Sequence, residues 1–469
     1  MSLVAGIDSS TQSTKIVIID SATGNSVRAG RAKHPAGTEI HPNEWFRAFE
    51  QAAEEAGGLE DVVALAVGGQ QHGMVLLDKS GEVIRPAQLW NDTKSAGAAR
   101  ELTEELGPEF WATATGSVPV ASLTVTKLRW IADNEPENAA RIAAVCLPHD
   151  WLTWKISGSR DIRDLATDRS DASGTGYVDC TDDSYRYDII SHALRISEEA
   201  ARAIVFPRIA KPYEAVGRAD SRWGGGLLGP GAGDNAGAAL GLNLQPGQAS
   251  ISIGTSGVVA AISDHPIQDA VSGVTGFSDA NGQWLPLACT LNGSLIQDYF
   301  CRILGVDFAE LAELAQKAEP AAGGMTLVPY FSGERTPNLP DATASISGMT
   351  PSSMTRENFA RLAYEGLACL MRGALEALRG GGITIDRAMV IGGATKSSAL
   401  SQILADVLEI PLDIPQPGEY VARGAARQAA LVAGLAVDAE GWEPEIVKSV
   451  APGEANPAWE RYREVAKKP

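Results

Sequence analysis

The stretch that decides the fold is residues 3–20, LVAGIDSSTQSTKIVIID, in which two apolar runs flank a polar turn. Short apolar runs joined by such a turn predict paired β-strands, and the turn at 22–25, ATGN, leads to a third run. Residues 41–57 then place Asn43, as a predicted helix cap, before apolar residues at helical spacing, and DVVALAVGG at 61–69 predicts a buried strand. The predicted order is three antiparallel strands, a helix and a strand.

The same pattern returns in the second half of the chain. Residues 249–262, ASISIGTSGVVAAI, again place a Gly/Ser/Thr turn between two apolar runs, so that Thr11 and Thr255 occupy equivalent positions. Further on, AMVIGG (388–393) predicts a strand, SALSQILADVLE (398–409) an amphipathic helix, and GAARQAALVAGLA (424–436) a small-residue helix able to pack closely.

The repetition and the length together predict a two-domain architecture. A chain of 469 residues exceeds the ~250–300 at which single cores stop growing, so we predict domains at 1–244 and 245–469. Two related α/β halves, each opening with a hydroxyl-rich β-turn-β unit, indicate the duplicated hexokinase/actin-like (ribonuclease-H-like) ATPase fold with a central cleft. Two ordinary α/β domains with unrelated hairpins are the alternative.

Charge and composition narrow the partners. The net charge of -19 argues against nucleic acid and anionic membranes, while a small phosphate-bearing ligand stays compatible because backbone N–H groups can bind it. The five cysteines form no C-x-x-C pair, so we expect reduced, buried thiols. No secretory signal pattern and no run of ~18 apolar residues occurs, which predicts a soluble, cytoplasmic protein. A homodimer is left open.

Two familiar nucleotide-binding motifs fit poorly. GGATKS at 392–397 has Thr395 where a Walker loop requires glycine. GAGDNA at 231–236 matches the dinucleotide fingerprint, but a poor strand precedes it and no acidic residue lies about 20 positions on, near the end of a second parallel strand. The hydroxyls and N–H groups of the two turns offer another way to hold phosphates between the domains.

Three other segments carry candidate site residues. Asp234 lies on a glycine loop before an Ala/Gly-rich helix, where it could accept a hydroxyl proton or simply cap the helix. Gln71 and His72 lie between glycines after a predicted strand, which suits recognition of sugar hydroxyls, although a loop histidine is more often a surface or capping group. Trp90 offers a flat apolar face that suits a sugar ring, or simply a core position.

Together these segments resemble the FGGY carbohydrate kinases over nearly the whole chain. GIDSSTQSTK (6–15) and SIGTSG (252–257) resemble the two phosphate loops, and GAGDNAGAALG (231–241) the catalytic-aspartate loop. TVTKLRWIADNEP (124–136) resembles the helical signature, and GGATKSSALSQILADVL (392–408) the adenosine segment. GQQHG (69–73) and YFSGERTP (330–337) are closest to the members that phosphorylate D-xylulose, whereas glycerol kinases carry an R-E pair at the first place.

The resemblance implies a function and a set of roles. It implies ATP-dependent phosphorylation of a ketopentose, D-xylulose to D-xylulose 5-phosphate, with Mg²⁺ as cofactor and Asp234 as general base. Asp8 and Asp234 would hold the metal, and Gln71, His72, Trp90 and Asn235 would bind the sugar. The nucleotide-binding residues would be Thr11, Lys15, Gly254, Thr255, Ser256, Gly392 and Gly393.

Three positions depart from the family pattern. Ser10 replaces a usual glycine in the first turn, Gln71 a usual methionine beside the sugar, and Arg423 a common leucine on the expected adenine side. The open alternatives are a kinase for ribulose, glycerol or another polyol, and a non-catalytic sugar- or nucleotide-sensing regulator. Retention of both Asp8 and Asp234 speaks against the regulator.

Overall fold

A computed structural model describes residues 2–438, 440–453 and 456–466. The strands up to residue 244 are β1 (Leu3–Ser9), β2 (Ser13–Asp20), β3 (Ser26–Lys33), β4 (Glu39–Ile40), β5 (Val62–Gly69), β6 (Val75–Leu77), β7 (Ala87–Gln88), β8 (Ala144–Cys146), β9 (Ala166–Thr167), β10 (Arg208–Ile209), β11 (Gly217–Arg218), β12 (Leu227–Leu228) and β13 (Ala232–Gly233). The helices of this part are α1 (Asn43–Glu55), α2 (Ala96–Leu106), α3 (Pro108–Thr115), α4 (Thr124–Asn134), α5 (Pro136–Ala139), α6 (Pro148–Ser157), α7 (Arg169–Ser173), α8 (Tyr187–Leu194), α9 (Glu198–Arg202) and α10 (Asp234–Gly241).

The second part continues the numbering. Its strands are β14 (Gly247–Ile253), β15 (Gly257–Ala261), β16 (Leu287–Thr290), β17 (Thr326–Val328), β18 (Ser345–Ser347), β19 (Ile385–Ile391), β20 (Leu412–Pro415) and β21 (Ile446–Val450). Its helices are α11 (Leu295–Leu304), α12 (Phe308–Lys317), α13 (Arg356–Gly380), α14 (Ser398–Leu408), α15 (Tyr420–Val432) and α16 (Ala458–Val465). Short 3₁₀ segments lie at Ile162–Asp164, Ser221–Trp223, Ala322–Gly324, Gly393–Lys396 and Glu440–Trp442.

The main sheets of the two parts repeat one topology. The first has the order β11-β12-β5-β1-β2-β3, with β1 antiparallel to β2 and parallel to β5. The second has the order β16-β15-β14-β19-β20-β21, with β14 antiparallel to β15 and parallel to β19. The turn after β1 and the turn after β14 therefore lie at corresponding places, and the predicted repetition is confirmed.

Helix α15 belongs late in the chain but packs against the first sheet. Its alanines form an apolar cluster with Val4 of β1 and Ala64 of β5. It also crosses α10 at glycines: a Cβ on Gly424 would lie 1.9 Å from the carbonyl oxygen of Gly237, and one on Gly241 would lie 2.0 Å from that of Tyr420. The small-residue pattern thus serves close packing of α15 on α10. The predicted boundary near residue 244 stays a prediction.

Several smaller predictions can now be compared with the structure. Asn43 is the first residue of α1 and not its cap, because the chain is already helical at Pro42. Cys146, Cys180, Cys301 and Cys369 are buried as expected, whereas Cys289 is partly exposed. Among the described residues, no helix is both long and apolar enough to cross a membrane.

Candidate active site

The first turn carries a buried carboxylate at the end of β1. Asp8 is 3% exposed, and its Oδ1 accepts a hydrogen bond from the Ser10 hydroxyl at 2.6 Å. Lys15 Nζ lies 3.6 Å from Asp8 Oδ2 and 2.5 Å from Glu419 Oε2, just before α15. Burial raises the pKa of Asp8, although Ser10 and Lys15 act in the opposite direction. Ser10, the departure from the family pattern, therefore fixes this carboxylate.

Asp234 is the first residue of α10, and the short strand β13 before it pairs with the end of β5. Its Oδ1 accepts hydrogen bonds from the backbone N–H of Asn235 at 2.8 Å and from Asn235 Nδ2 at 3.1 Å. Burial, followed by the nearby carboxylates of Asp8 and Asp171, raises the pKa of Asp234 to about 7. A carboxylate with such a pKa can accept a proton near neutral pH.

Gln71 and His72 follow β5 and face the same region. Gln71 Oε1 accepts a hydrogen bond from Asn235 Nδ2 at 3.0 Å, which links the two loops. His72 has a φ of 67°, and its Nδ1 donates to the carbonyl of Gly174 at 2.7 Å. Burial, with the cations of Lys127 and Arg335, lowers the pKa of His72 to about 3. The neutral ring therefore keeps Nε2 as an acceptor.

These side chains line a cavity of about 250 Å³ between the two sheets. From the first half come Gln71, His72, Trp90, Ser122, Asp234 and Asn235, and from the second half Ser256, Val258, Phe277, Leu287, Cys289, Thr290, Leu291 and Arg335. Trp90 is 45% exposed, and its Nε1 donates to the Thr11 hydroxyl at 2.9 Å. The cavity combines apolar walls with a few polar groups, as small-ligand sites do.

A second cavity, of about 620 Å³, lies on the other side of the β14–β15 turn. Gly254 and Gly393 line it, together with apolar residues of α12 and α14 such as Ala312 and Leu400. Gly392 has a φ of 102°, and a Cβ there would lie 2.4 Å from the carbonyl oxygen of Ile253. Gly392 therefore allows β19 to end against β14, whereas Gly393 borders the cavity.

The turn itself, residues 254–256, joins the two cavities. Gly254 lines the larger cavity and Ser256 the smaller one, and all three turn residues are exposed. The Gly254 N–H donates to Ser256 O at 3.0 Å, and the Gly254 carbonyl accepts from the N–H of Ser294 at 2.8 Å. A phosphate chain lying along this turn would reach from the larger cavity towards Asp234.

Two residues of the second half shape the site although the sequence alone assigns them no role. Arg335, in the segment YFSGERTP, lines the smaller cavity from the second half. Glu334 shapes this segment, because it accepts from the backbone N–H groups of Leu291 and Arg335 at 2.6 and 2.8 Å. Arg423, the departure on the expected adenine side, donates to the carbonyls of Gly24 and Gly441 and is not among the residues that line the larger cavity.

Comparison with known proteins agrees with this architecture. The model of the N-terminal domain of the FGGY family of carbohydrate kinases matches residues 3–241, and the model of its C-terminal domain matches residues 249–433. The chain belongs to the FGGY family of carbohydrate kinases. The two matched FGGY domains meet between residues 241 and 249, and the predicted hexokinase/actin-like fold is confirmed by the solved members of the family.

Individual FGGY relatives match over most of their length. The xylulose kinase of Streptomyces coelicolor is 41% identical over 440 residues, which cover 91% of this chain and 87% of the relative. The crystal structure of xylulose kinase from Bifidobacterium adolescentis is 48% identical, covers 99% of both chains and superposes with a TM-score of 0.95. The glycerol kinase of Plasmodium falciparum with ADP, 20% identical at a TM-score of 0.87, shares the fold.

Proposed function

We propose that this protein transfers the γ-phosphoryl group of ATP to D-xylulose, giving D-xylulose 5-phosphate and ADP. The observation that carries the proposal is the exposed turn at 254–256, which borders both the cavity that holds Asp234 and the larger cavity beside Gly393. Two cavities that meet at an exposed turn suit a sugar and a nucleotide held in line for transfer of a phosphoryl group. The relatives named xylulose kinase support the choice of sugar.

Asp234 acts as the general base. The 5-hydroxyl of the sugar gives its proton to the Asp234 carboxylate while its oxygen attacks the γ-phosphorus, and ADP leaves on the opposite side. Asn235 holds Asp234 through two hydrogen bonds and meets Gln71 across the cavity. Gln71, the neutral His72 and Trp90 bind the sugar chain, because their neutral polar and apolar surfaces suit an uncharged polyhydroxyl ligand.

The nucleotide binds between the two turns. Thr11 and Lys15 of the first turn and Gly254, Thr255 and Ser256 of the second hold the phosphates, with Gly393 beside the adenosine and Gly392 shaping the backbone there. Lys15 must then exchange its contact with Glu419 for a phosphate oxygen. Gln71, which stands where the family pattern has methionine, also orders the loop that bears the base, because it accepts a hydrogen bond from Asn235.

Asp8 and Asp234 suit a magnesium ion that arrives with ATP. No group of three or more Asp, Glu, His or Cys side chains forms a metal site within the described ranges, but Mg²⁺ is usually held by one or two carboxylates plus substrate phosphates. The Asp8 carboxylate helps to raise the pKa of Asp234, so a cation bound by both carboxylates would relieve their repulsion. Bound there, Mg²⁺ would neutralise phosphate charge during transfer.

An ADP-release assay tests the function and its alternatives together. Purified protein with Mg²⁺-ATP is given D-xylulose, D-ribulose, an aldopentose and glycerol, and we expect the highest kcat/KM with D-xylulose. A preference for ribulose or glycerol would contradict the choice of sugar and leave a kinase. Binding of sugar and ATP with no turnover of any sugar would support the sensing regulator instead. A location in the cytoplasm stays a prediction.

A further inference from the structure

A fully buried histidine with three aspartates lies beneath the site, and the mechanism above uses none of them. His149, in the first turn of α6, places Nδ1 2.8 Å from Asp171 Oδ2 and Nε2 3.2 Å from Asp150 Oδ1. Asp168 Oδ1 lies 3.7 Å from the same Nε2. Burial alone would lower the pKa of His149, but the three carboxylates raise it to about 10. The cluster therefore buries a charged imidazolium among acidic groups.

His149 also contacts the loop that leads to Asp234. Its Nε2 lies 3.3 Å from the carbonyl oxygen of Pro230, which accepts a hydrogen bond from it. A Cβ on Gly231 would lie only 2.5 Å from His149 Cδ2, and Gly231 has a φ of 85°. On the far side of this loop, Gln428 of α15 exchanges two hydrogen bonds with the backbone of Gly231. The loop is thus clamped between His149 and Gln428.

The short helix α7 links the cluster to the base. Asp168 caps α7 by accepting from the backbone N–H groups of Ser170 and Asp171 at 2.7 and 3.1 Å. The Ser170 hydroxyl donates to Asp168 and accepts from the N–H of Gly233 at 3.1 Å. Gly233 immediately precedes Asp234, so this path ends at the backbone of the proposed base.

The other end of α7 links the cluster to His72 in the smaller cavity. The N–H of Gly174 donates to the carbonyl of Asp171, and its own carbonyl accepts from His72 Nδ1 at 2.7 Å. A Cβ on Gly174 would lie 2.6 Å from His72 Cε1. One helix, fixed by the ion pair of His149 with Asp171, therefore sets both the base and the proposed sugar ligand.

We propose that His149, Asp168, Ser170 and Asp171 are positioning residues that hold α7 so that one end fixes Asp234 and the other fixes His72. A buried ion pair contributes little net stability compared with apolar packing, so this cluster is better explained by the geometry that it imposes. The proposal rests on the proposed kinase function. It predicts that the two ends of α7 control different kinetic constants.

Two substitutions separate the ends. Ser170→Ala removes the hydroxyl that accepts from Gly233, and we expect kcat to fall about 10- to 100-fold with little change in the KM for sugar, because only the base moves. Gly174→Ala pushes on the His72 ring, and we expect the KM for sugar to rise roughly 10-fold with kcat changed less than about threefold. His149→Asn should impair both constants.

Thr175→Val is the matched control. Its buried hydroxyl donates to the carbonyl of Ala172 in the same helix and accepts from the N–H of Tyr177, and it forms no hydrogen bond with Gly233 or His72. Steady-state kinetics are expressed per nucleotide-binding site, counted by calorimetric titration with a non-hydrolysable ATP analogue, so that loss of folded protein does not mimic a fall in kcat. We expect Thr175→Val to leave kcat and KM unchanged.

The split itself decides the proposal. Kinetic changes in Ser170→Ala and Gly174→Ala that equal those of Thr175→Val, or that affect kcat and KM alike in both variants, would overturn it. If the wild type prefers a sugar other than D-xylulose, the choice of substrate fails and the split is measured with the preferred sugar. If no sugar is turned over, weaker sugar binding in Gly174→Ala than in Ser170→Ala by calorimetry still supports the proposal, and equal binding overturns it.

Discussion

The two β-turn-β units share one topology but differ in charge and exposure. The turn after β1 carries the buried Asp8, held by Ser10 and approached by Lys15. The turn after β14 has three exposed residues, none charged, and one internal backbone bond between Gly254 and Ser256. The two turns therefore share a topology, but the first is a fixed, charged site and the second is an open, uncharged cradle for the ligand. Substitutions in the first half should therefore mainly reduce kcat or kcat/KM for the sugar, and substitutions in the second turn should mainly raise the KM for ATP.

The largest effect is expected on the charged side. Asp234→Asn keeps the size of the side chain but removes the proton acceptor, so we expect kcat to fall by about 10²–10⁴-fold. ATP affinity should change little, because the cavity proposed for the nucleotide is unaltered and Asp8 remains to bind Mg²⁺. Initial rates of ADP release and calorimetric titration with an ATP analogue measure the two quantities. Turnover close to that of the wild type would eliminate Asp234 as the base.

The sugar loop of the first half comes next. Gln71→Ala and His72→Ala should each cost roughly 1–3 kcal/mol in kcat/KM for D-xylulose, because a buried sugar hydroxyl is left without a partner. Glycerol is too short to gain both contacts and should lose less. The measurement is kcat/KM for D-xylulose, D-ribulose and glycerol on the wild type and both variants. Equal losses on every substrate would mean that the loop shapes the domain and does not select the sugar.

The open turn should show a binding defect instead. Gly254→Val places a branched side chain at the rim of the nucleotide cavity, where a Cβ meets no atom closer than Ser256 O at 3.8 Å. The backbone therefore has room to keep its shape, and we expect the KM for ATP to rise about 10-fold, a loss of uniform binding, while the KM for sugar stays the same. A fall in kcat with no change in the KM for ATP would contradict the assignment of this turn.

Features that depend on local sequence patterns can be predicted from the sequence, whereas contacts between distant segments cannot. The two turns and the strands around them can be predicted because short apolar runs and the polar, glycine-containing turns between them are local signals. Asp234, Gln71 and His72 become candidates because they lie in glycine-flanked loops, Asp234 before a predicted helix and the other two after a predicted strand. Their meeting in one cavity depends on the pairing of β13 with β5, which local patterns do not encode.

Three features of the structure differ from, or go beyond, what the sequence predicts. Arg423 lies 399 residues from Gly24, to which it donates, and its own helix gives no hint of that neighbour. Arg335 lines the smaller cavity from a loop that Glu334 joins to Leu291 by a hydrogen bond. The residue type of Asn43 predicts a helix cap, but Pro42 already has helical dihedral angles, so the first turn of the helix starts earlier. The positions of Arg423 and Arg335 thus depend on tertiary structure, whereas the start of α1 depends on local backbone geometry.

The smallest expected signal concerns the approach of the two turns. Because the phosphate-binding residues lie on both halves, and water must be kept from the phosphoryl group, we expect the halves to close when both ligands bind. In the closed state we expect Lys15 to exchange its contact with Glu419 for a contact with phosphate. We expect the halves to turn about α10 and α15, which cross at Gly237 and Gly424. Small-angle X-ray scattering with D-xylulose plus a non-hydrolysable ATP analogue should give a lower radius of gyration than either ligand alone. Asp234→Asn, which leaves the other residues of both proposed binding sites unchanged, is the control and should compact in the same way. An unchanged radius in both proteins, with binding verified by calorimetry, would mean that the open cradle is already in its working position and that the two turns differ in charge alone.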